Sequence, residues 1–241
     1  MLKKIEKVAK RVLSPLRPPR KRVRQADIKA TRKIYREFFW TAFKALDYNV
    51  IDGDYVEFGC YGGMTFRLAF DEIRRRKIQR HLWAFDSFEG LPKASSALDD
   101  HPHWKKGAMA MGLDAFHRIC RSHGIPKDGY TAVQGFYEET LSRLPSDAPP
   151  TNIALAYVDC DMYSSTKTVL EFLTPRLKHG MILAFDDYFC WSSNQISGER
   201  RALLEAVAGL KEWNFVRYRD CSWAGISFVV ERTESAAWRE L

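Results

Sequence analysis

The sequence predicts an α/β fold: a doubly wound, mostly parallel sheet of seven strands, helices on both faces and an antiparallel last strand. Three observations predict it. From residue 27 onward, short apolar segments alternate with segments of helical periodicity, and strand–helix alternation of that kind builds a parallel sheet. One segment, "NIALAYVD", is almost wholly apolar, as a strand covered on both faces must be. Acidic residues recur where the apolar segments end, and ligands of such sheets bind beyond the carboxyl ends of the strands.

The elements follow in order. "DIKATRKIYREFFWTAFKAL" reads as a helix with Asp27 near its start, and "YVEF" as the first strand. After a glycine turn, a helix runs to about Lys77, and "HLWAFD" is the second strand. Residues 87–112 read as an irregular stretch, before the helix "DAFHRICRSH" that Gly124 stops. "YTAVQG" and "NIALAYVD" are the third and fourth strands, "SSTKTVLEFLTPRL" a helix and "GMILAFDD" the fifth strand. The helix "GERRALLEAVAGL" precedes "NFVRYRD" and "GISFVVER", which form a closing antiparallel pair.

A chain of 241 residues, 46% hydrophobic, suits one substantial core. Its charge is unevenly placed. Residues 1–33 hold 13 Lys or Arg against Glu6 and Asp27, a net of +11 in a chain of +8, so the rest carries −3. The basic character therefore belongs to the N-terminal segment, which divides the chain into a basic amphipathic segment, 1–26, and an α/β domain, 27–241. Leu2, Ile5, Val8, Ala9, Val12, Leu13 and Leu16 recur at helical steps, and the prolines of "SPLRPPRKRVR" then break the pattern. Such a helix can dock on its own body or on a sister subunit, as in a homo-oligomer. It can also lie on an anionic membrane surface, or meet nucleic acid. Nucleic acid is the weakest of these, because no aromatic residue interleaves with the charges before Tyr35 to stack on bases.

No apolar run approaches the roughly 20 residues of a membrane span, and no apolar signal-peptide core follows the basic start. The five cysteines are odd in number and form no CxxC pair, which points to reduced thiols in the cytoplasm and away from structural zinc.

The strand ends carry the chemistry. Glu57 ends the first strand, Asp86 the second, Asp159 and Asp161 follow the fourth, and Asp186 and Asp187 the fifth. So many carboxylates on one rim repel one another unless a ligand or cation offsets them. The turn "VEFGCYGG" places Gly59, Gly62 and Gly63 out of register with the GxGxxG dinucleotide fingerprint, and no Lys followed by Ser or Thr makes a P-loop. Asp86 lies 27 residues past Gly59, where its carboxylate can accept bonds from both ribose hydroxyls. An E-x-G-x-x-x-G turn with a ribose acid on the next strand is the pattern of class I S-adenosylmethionine methyltransferases.

Asp159, Asp186 and Asp187, 27 and 28 residues apart on neighbouring strands, make an all-oxygen site for a hard cation such as Mg2+. Methyl transfer to an alcohol needs electron density on an oxygen whose pKa is near that of water. A cation lowers that pKa, and a neighbouring carboxylate can take the proton. Asp161, with Ser164 and Ser165, fits a helix-capping role instead.

The blocks "GDYVEFGCYGG", "AFDSFEGLP", "GFYEETL", "VDCDMYSST" and "GMILAFDDY" resemble the signature of the macrocin O-methyltransferase (TylF-type) family, from about Gly53 to Trp191. The resemblance implies a Rossmann-like class I methyltransferase that uses S-adenosylmethionine and magnesium to methylate a hydroxyl of a sugar, in a natural product or glycan. It maps cofactor contacts onto Glu57, Gly59, Gly62, Gly63, Asp86, Ser87 and Phe136. It maps metal ligands onto Asp159, Asp186 and Asp187, and the general base onto Asp159. Catechol-type methyltransferases share this metal layout but carry a lysine three residues after the first ligand; here that position is Met162.

Other readings stay open. Trp104, in "ALDDHPHWKKGAM", is either a lid over the site or an anchor for its loop, and His101 and His103 beside it are proton shuttles or solvated loop residues. Tyr163, Tyr188, Trp191, Ser222 and Trp223 neighbour the acids. A nucleic-acid methyltransferase is disfavoured because "DCDMY" replaces the N-P-P-Y type motif. A non-catalytic binding protein is disfavoured by the intact glycine turn and acids.

Overall fold

In a computed structural model describing residues 20–145 and 147–233, the chain opens with one long helix, α1 (Arg20–Tyr48). It begins seven residues before the expected start at Asp27, so the boundary suggested by the charge shift at 26/27 falls inside a continuous helix. The reason is local: Lys21 to Ala26 contain no proline or glycine, and nothing stops a helix nucleated downstream from extending back. The amphipathic pattern of residues 2–16 lies outside the described residues.

Strands β1 (Asp54–Phe58), β2 (Leu82–Asp86), β3 (Tyr130–Gln134), β4 (Ile153–Val158), β5 (Ile182–Phe185), β6 (Trp213–Asp220) and β7 (Ile226–Arg232) form one sheet in the order β3-β2-β1-β4-β5-β7-β6. β1 to β5 are parallel, and β7 alone runs against its neighbours β5 and β6. The predicted sheet is thus the observed one. Its winding reverses between β1 and β4, and that is where a crevice opens at the carboxyl ends. The connecting helices are α2 (Met64–Arg76), α3 (Leu113–Ser122), a short α4 (Tyr137–Thr140), α5 (Tyr163–Leu173) and α6 (Gly198–Gly209). The four residues of α4 are too few to show a helical period in sequence.

Alternation along the strands sends Tyr55, Leu155 and Tyr157 to one face and Val56, Phe58, Ala156 and Val158 to the other. On the first face α1 lays down Tyr35, Phe38, Phe39, Ala42, Phe43 and Leu46, a stripe at steps of three and four. Phe39 meets Tyr55 and Tyr157 with ring centroids 5.9 and 5.4 Å apart. Each such buried aromatic contributes about 1.5–3 kcal/mol of transfer free energy, so α1 is integral to the core. On the second face Phe58 and Phe85 stack, and Phe172 of α5 packs edge-on or tilted against both. Among the described residues no helix is long and apolar enough to cross a membrane.

Candidate active site

The crevice is a cleft of about 340 Å³ at the strand ends. Gly59, Asp86, Ser87 and Phe136 line one half of it, and Asp159, Asp161, Asp186 and Asp187 the other. Tyr35, Tyr61, Met64, Leu91 and Met109 add apolar surface. Seven of the ten residues expected as cofactor contacts or metal ligands therefore meet in one cavity. Glu57, Gly62 and Gly63 are not among its lining residues.

Backbone contact explains the first glycine. Gly59 has φ +91°, and a Cβ there would lie 1.9 Å from the Asp159 carbonyl oxygen. The turn after β1 thus passes directly against the end of β4, and only glycine allows it. Gly62, at φ +72°, has no atom within 4 Å of a would-be Cβ, so its requirement is conformational only.

Glu57 is fully buried behind the turn rather than at the rim. Its place is inside β1, because the strand runs one residue further, to Phe58. Thr65, in the first turn of α2, donates to it at 2.8 Å, and the Tyr55 hydroxyl donates to its other oxygen. Burial pushes its carboxyl up to about 8 against the pull of those two bonds. Asp86 accepts the Cys60 and Phe88 amides, each at 2.6 Å, one on each oxygen. Burial raises its carboxyl, and the two amides draw it back. Each oxygen retains a second lone pair toward the cleft side of the turn.

The acidic half departs from the expected ligand trio. Carboxylate oxygens of Asp159, Asp161 and Asp187 lie within 4.8 Å of one another. Asp161 takes φ +59°, a left-handed conformation that short polar side chains tolerate. Asp186 is a close neighbour of Asp159 but not a member of that group: it accepts the Tyr35 hydroxyl at 3.1 Å and the Tyr157 hydroxyl on its other oxygen, and so serves as a buried acceptor between two phenols. Asp187, in the turn after β5, joins the cluster instead. Burial, then Asp186 and Asp187, push the Asp159 carboxyl well above its ordinary range; burial and Asp187 do the same to Asp161. Three convergent oxygens under mutual repulsion suit a hard divalent cation, which would relieve that repulsion.

Two functional-looking acids escaped the sequence reading. Asp99 is fully buried and accepts bonds from the Ser95, Ser96 and Ser164 amides at 3.0, 3.0 and 2.9 Å. It ties the irregular loop 87–112 to the start of α5. Glu199, also fully buried, sits among the loops after β4 and β5. Glu199 reads as an ordinary helix acid in sequence and no local spacing marks it, whereas Asp99 stands three residues after Ser96 in the capping-box spacing that the structure forms.

The loop residues can now be placed. Trp104 is buried at 7% exposure, and a Cβ on Gly198 would meet its ring at 2.7 Å. His101 stacks on it with centroids 4.3 Å apart. Trp104 thus packs against the start of α6, beside the loop that follows β4, and is not among the cleft's lining residues. Ser222 donates to the Asp186 carbonyl at 2.6 Å, while Tyr163 turns away to donate to Glu205. Tyr188 and Trp191 flank the Arg200 guanidinium, 5.5 and 5.1 Å from their centroids, and Trp223 is 72% exposed.

Comparison with known proteins places these residues in context. The family described as macrocin-O-methyltransferase (TylF) matches residues 36–202. A curated relative, the 8-demethyl-8-(2,3-dimethoxy-alpha-L-rhamnosyl)-tetracenomycin-C 4'-O-methyltransferase of Streptomyces olivaceus, is 31% identical over 144 residues, 57% of this chain and 54% of that one. Mycinamicin III 3''-O-methyltransferase of Micromonospora griseorubida is 28% identical over 148 residues, 57% and 56% of the two chains. The match thus spans about half the length of these curated relatives. Among solved structures, the calicheamicin methyltransferase CalS11 shares 26% identity at a TM-score of 0.62, over 79% of this chain and 77% of that one. The O-methyltransferase NovP has the same fold at a TM-score of 0.70 and 22% identity, over 83% and 80%.

Proposed function

We propose that this chain, which belongs to the macrocin O-methyltransferase (TylF) family, moves a methyl group from S-adenosylmethionine to a hydroxyl of a sugar or sugar-containing small molecule, with a divalent cation such as Mg2+ at the acid cluster. The observation that carries this reading is the single cleft, where a glycine turn and Asp86 face a carboxylate cluster. The named activities of the two curated relatives and of CalS11, all methyltransferases and the first acting on a rhamnosyl compound, support it.

S-adenosylmethionine supplies an electrophilic methyl on a sulfonium; a bound cation supplies a Lewis acid that makes the acceptor hydroxyl more acidic. The chain's residues do the rest. Asp86 takes the ribose hydroxyls on its free lone pairs, Ser87 and Phe136 border the same end, and Gly59 lets the backbone approach the methionine part. Glu57, Gly62 and Gly63 act from behind by shaping the turn. Asp159, Asp161 and Asp187 would hold the cation, and Asp186 holds the Tyr35 and Tyr157 hydroxyls. Asp159, half-buried among these acids, would be the carboxylate placed to receive the hydroxyl proton. In this reading residues 27–241 are the methyltransferase domain.

Calorimetric titration of S-adenosylhomocysteine, with and without Mg2+, tests it on wild type, Asp86→Ala and Asp187→Ala. Binding by wild type, loss in Asp86→Ala and loss of only the magnesium response in Asp187→Ala is the expected pattern. No binding by wild type would overturn the cofactor reading, and binding without a magnesium response would overturn the cation.

A further inference from the structure

β4 and β5 end side by side, and their ladder stops where the Asp186 amide donates to the Val158 carbonyl at 2.8 Å. Beyond that bond, the amides of Cys160 and Asp187 have left the strand ladder. Both are taken up by one side chain: Glu199, in the first turn of α6, accepts Cys160 N–H on Oε1 at 3.0 Å and Asp187 N–H on Oε2 at 2.9 Å. Cys160 lies between Asp159 and Asp161, and Asp187 is the third member of the cluster. One carboxylate therefore joins the two backbone segments that carry all three. We propose that Glu199 is the positioning residue that sets the spacing of these carboxylates for a divalent cation, a role that rests on the cation reading above.

Its surroundings exclude a mere helix start. A first-turn acid ordinarily serves its own helix terminus, and here it turns away to the sheet. Glu199 is fully buried, and among the described residues it has no ion-pair partner. A buried charge without a cation beside it costs several kcal/mol unless hydrogen bonds or a nearby positive charge offset it. Burial and Asp187 push the Glu199 carboxyl upward, the two amide hydrogen bonds draw it back in part, and both bonds are geometrically strict. The turn that delivers Glu199 is fitted to the same two loops. Gly198 takes φ +58°, and a Cβ there would lie 2.9 Å from the Asp161 carbonyl and 3.1 Å from that of Cys190.

Titration calorimetry of Mn2+ into the full chain tests the proposal, comparing wild type with Glu199→Gln, which keeps one acceptor but sets an NH2 group against the other amide. S-adenosylhomocysteine affinity and thermal unfolding are followed alongside. Mn2+ affinity should fall about 10- to 100-fold, the usual effect of removing a group that orients a ligand, while S-adenosylhomocysteine binds as before. Unchanged Mn2+ affinity, whatever happens to thermal stability, would reduce Glu199 to a structural role and overturn the proposal alone. Absence of Mn2+ binding by wild type would remove the cation reading and this role with it. Glu199→Asp, whose shorter arm cannot reach both amides, is read in the same way if the glutamine variant does not fold.

Discussion

Tyr35 and Asp186, 151 residues apart in sequence, meet through a 3.1 Å hydrogen bond from the phenol to the carboxylate. The bond joins α1 to the rim of the cleft, and both side chains are under a tenth exposed. Tyr35→Phe removes the donor and leaves a buried carboxylate oxygen short of a partner. Unfolding in urea should show a loss of about 1–3 kcal/mol, and Tyr157→Phe should behave alike.

Gly59 and Gly62 should separate cleanly under the same substitution. Gly59→Ala drives a methyl into the Asp159 carbonyl, so the two strand ends must part. Gly62→Ala meets no atom and carries only the strain of a left-handed φ, about 1–2 kcal/mol. Thermal unfolding should move far more for Gly59→Ala, and S-adenosylhomocysteine affinity should be lost only there.

Glu57 gives the stability a pH dependence of definite sign. Its carboxyl is raised to about 8 in the folded chain by burial, against about 4.3 when unfolded. Between those values the folded state holds the extra proton. The stabilisation is complete below the unfolded value and is lost as pH rises through about 8. Glu57→Gln, which stays neutral, should flatten the unfolding free energy across that range. A slope identical to wild type would place the titrating group elsewhere.

Asp99 should govern how firmly loop 87–112 is held. Burial works to raise its carboxyl, and the bonds from the Ser164 and Ser95 amides more than offset it, leaving it below the ordinary value. Its contribution is thus present above the unfolded value and lost as pH falls through the lower, folded one. Asp99→Ala strands several buried donors at once. Trypsin should then cut after Lys105 or Lys106 much faster than in wild type, with the core still resistant.

Much of this arrangement could be read from the chain before folding. The strands carry period-two or wholly apolar patterns, and Asp86 follows its strand where a ribose acid must. The acids after β4 and β5 were visible as a group, yet their division of labour was not. Asp186 and Asp187 are neighbours in sequence and both act on Asp159, yet two tyrosines, one of them on α1, engage Asp186, and only Asp187 joins the three-membered cluster. Glu199 escaped because its partners lie 39 and 12 residues away, in loops that only the sheet order brings together. Hydrophobic period reports which face is buried; it carries nothing about what a buried acid will accept. The start of α1 was misplaced for a related reason, since a change in charge is not a break in backbone propensity.

The long reach from α1 to β5 also has a consequence for biosynthesis. The aromatic stripe of α1 leaves the ribosome before any strand it will cover. Tyr157 and Asp186 follow more than a hundred residues later, at about 5–20 residues per second, or on the order of ten seconds. Throughout that interval the nascent chain displays Phe38, Phe39 and Phe43 without their sheet. α1 is thus made well before the sheet it packs against, and the cleft is completed only after most of the chain exists.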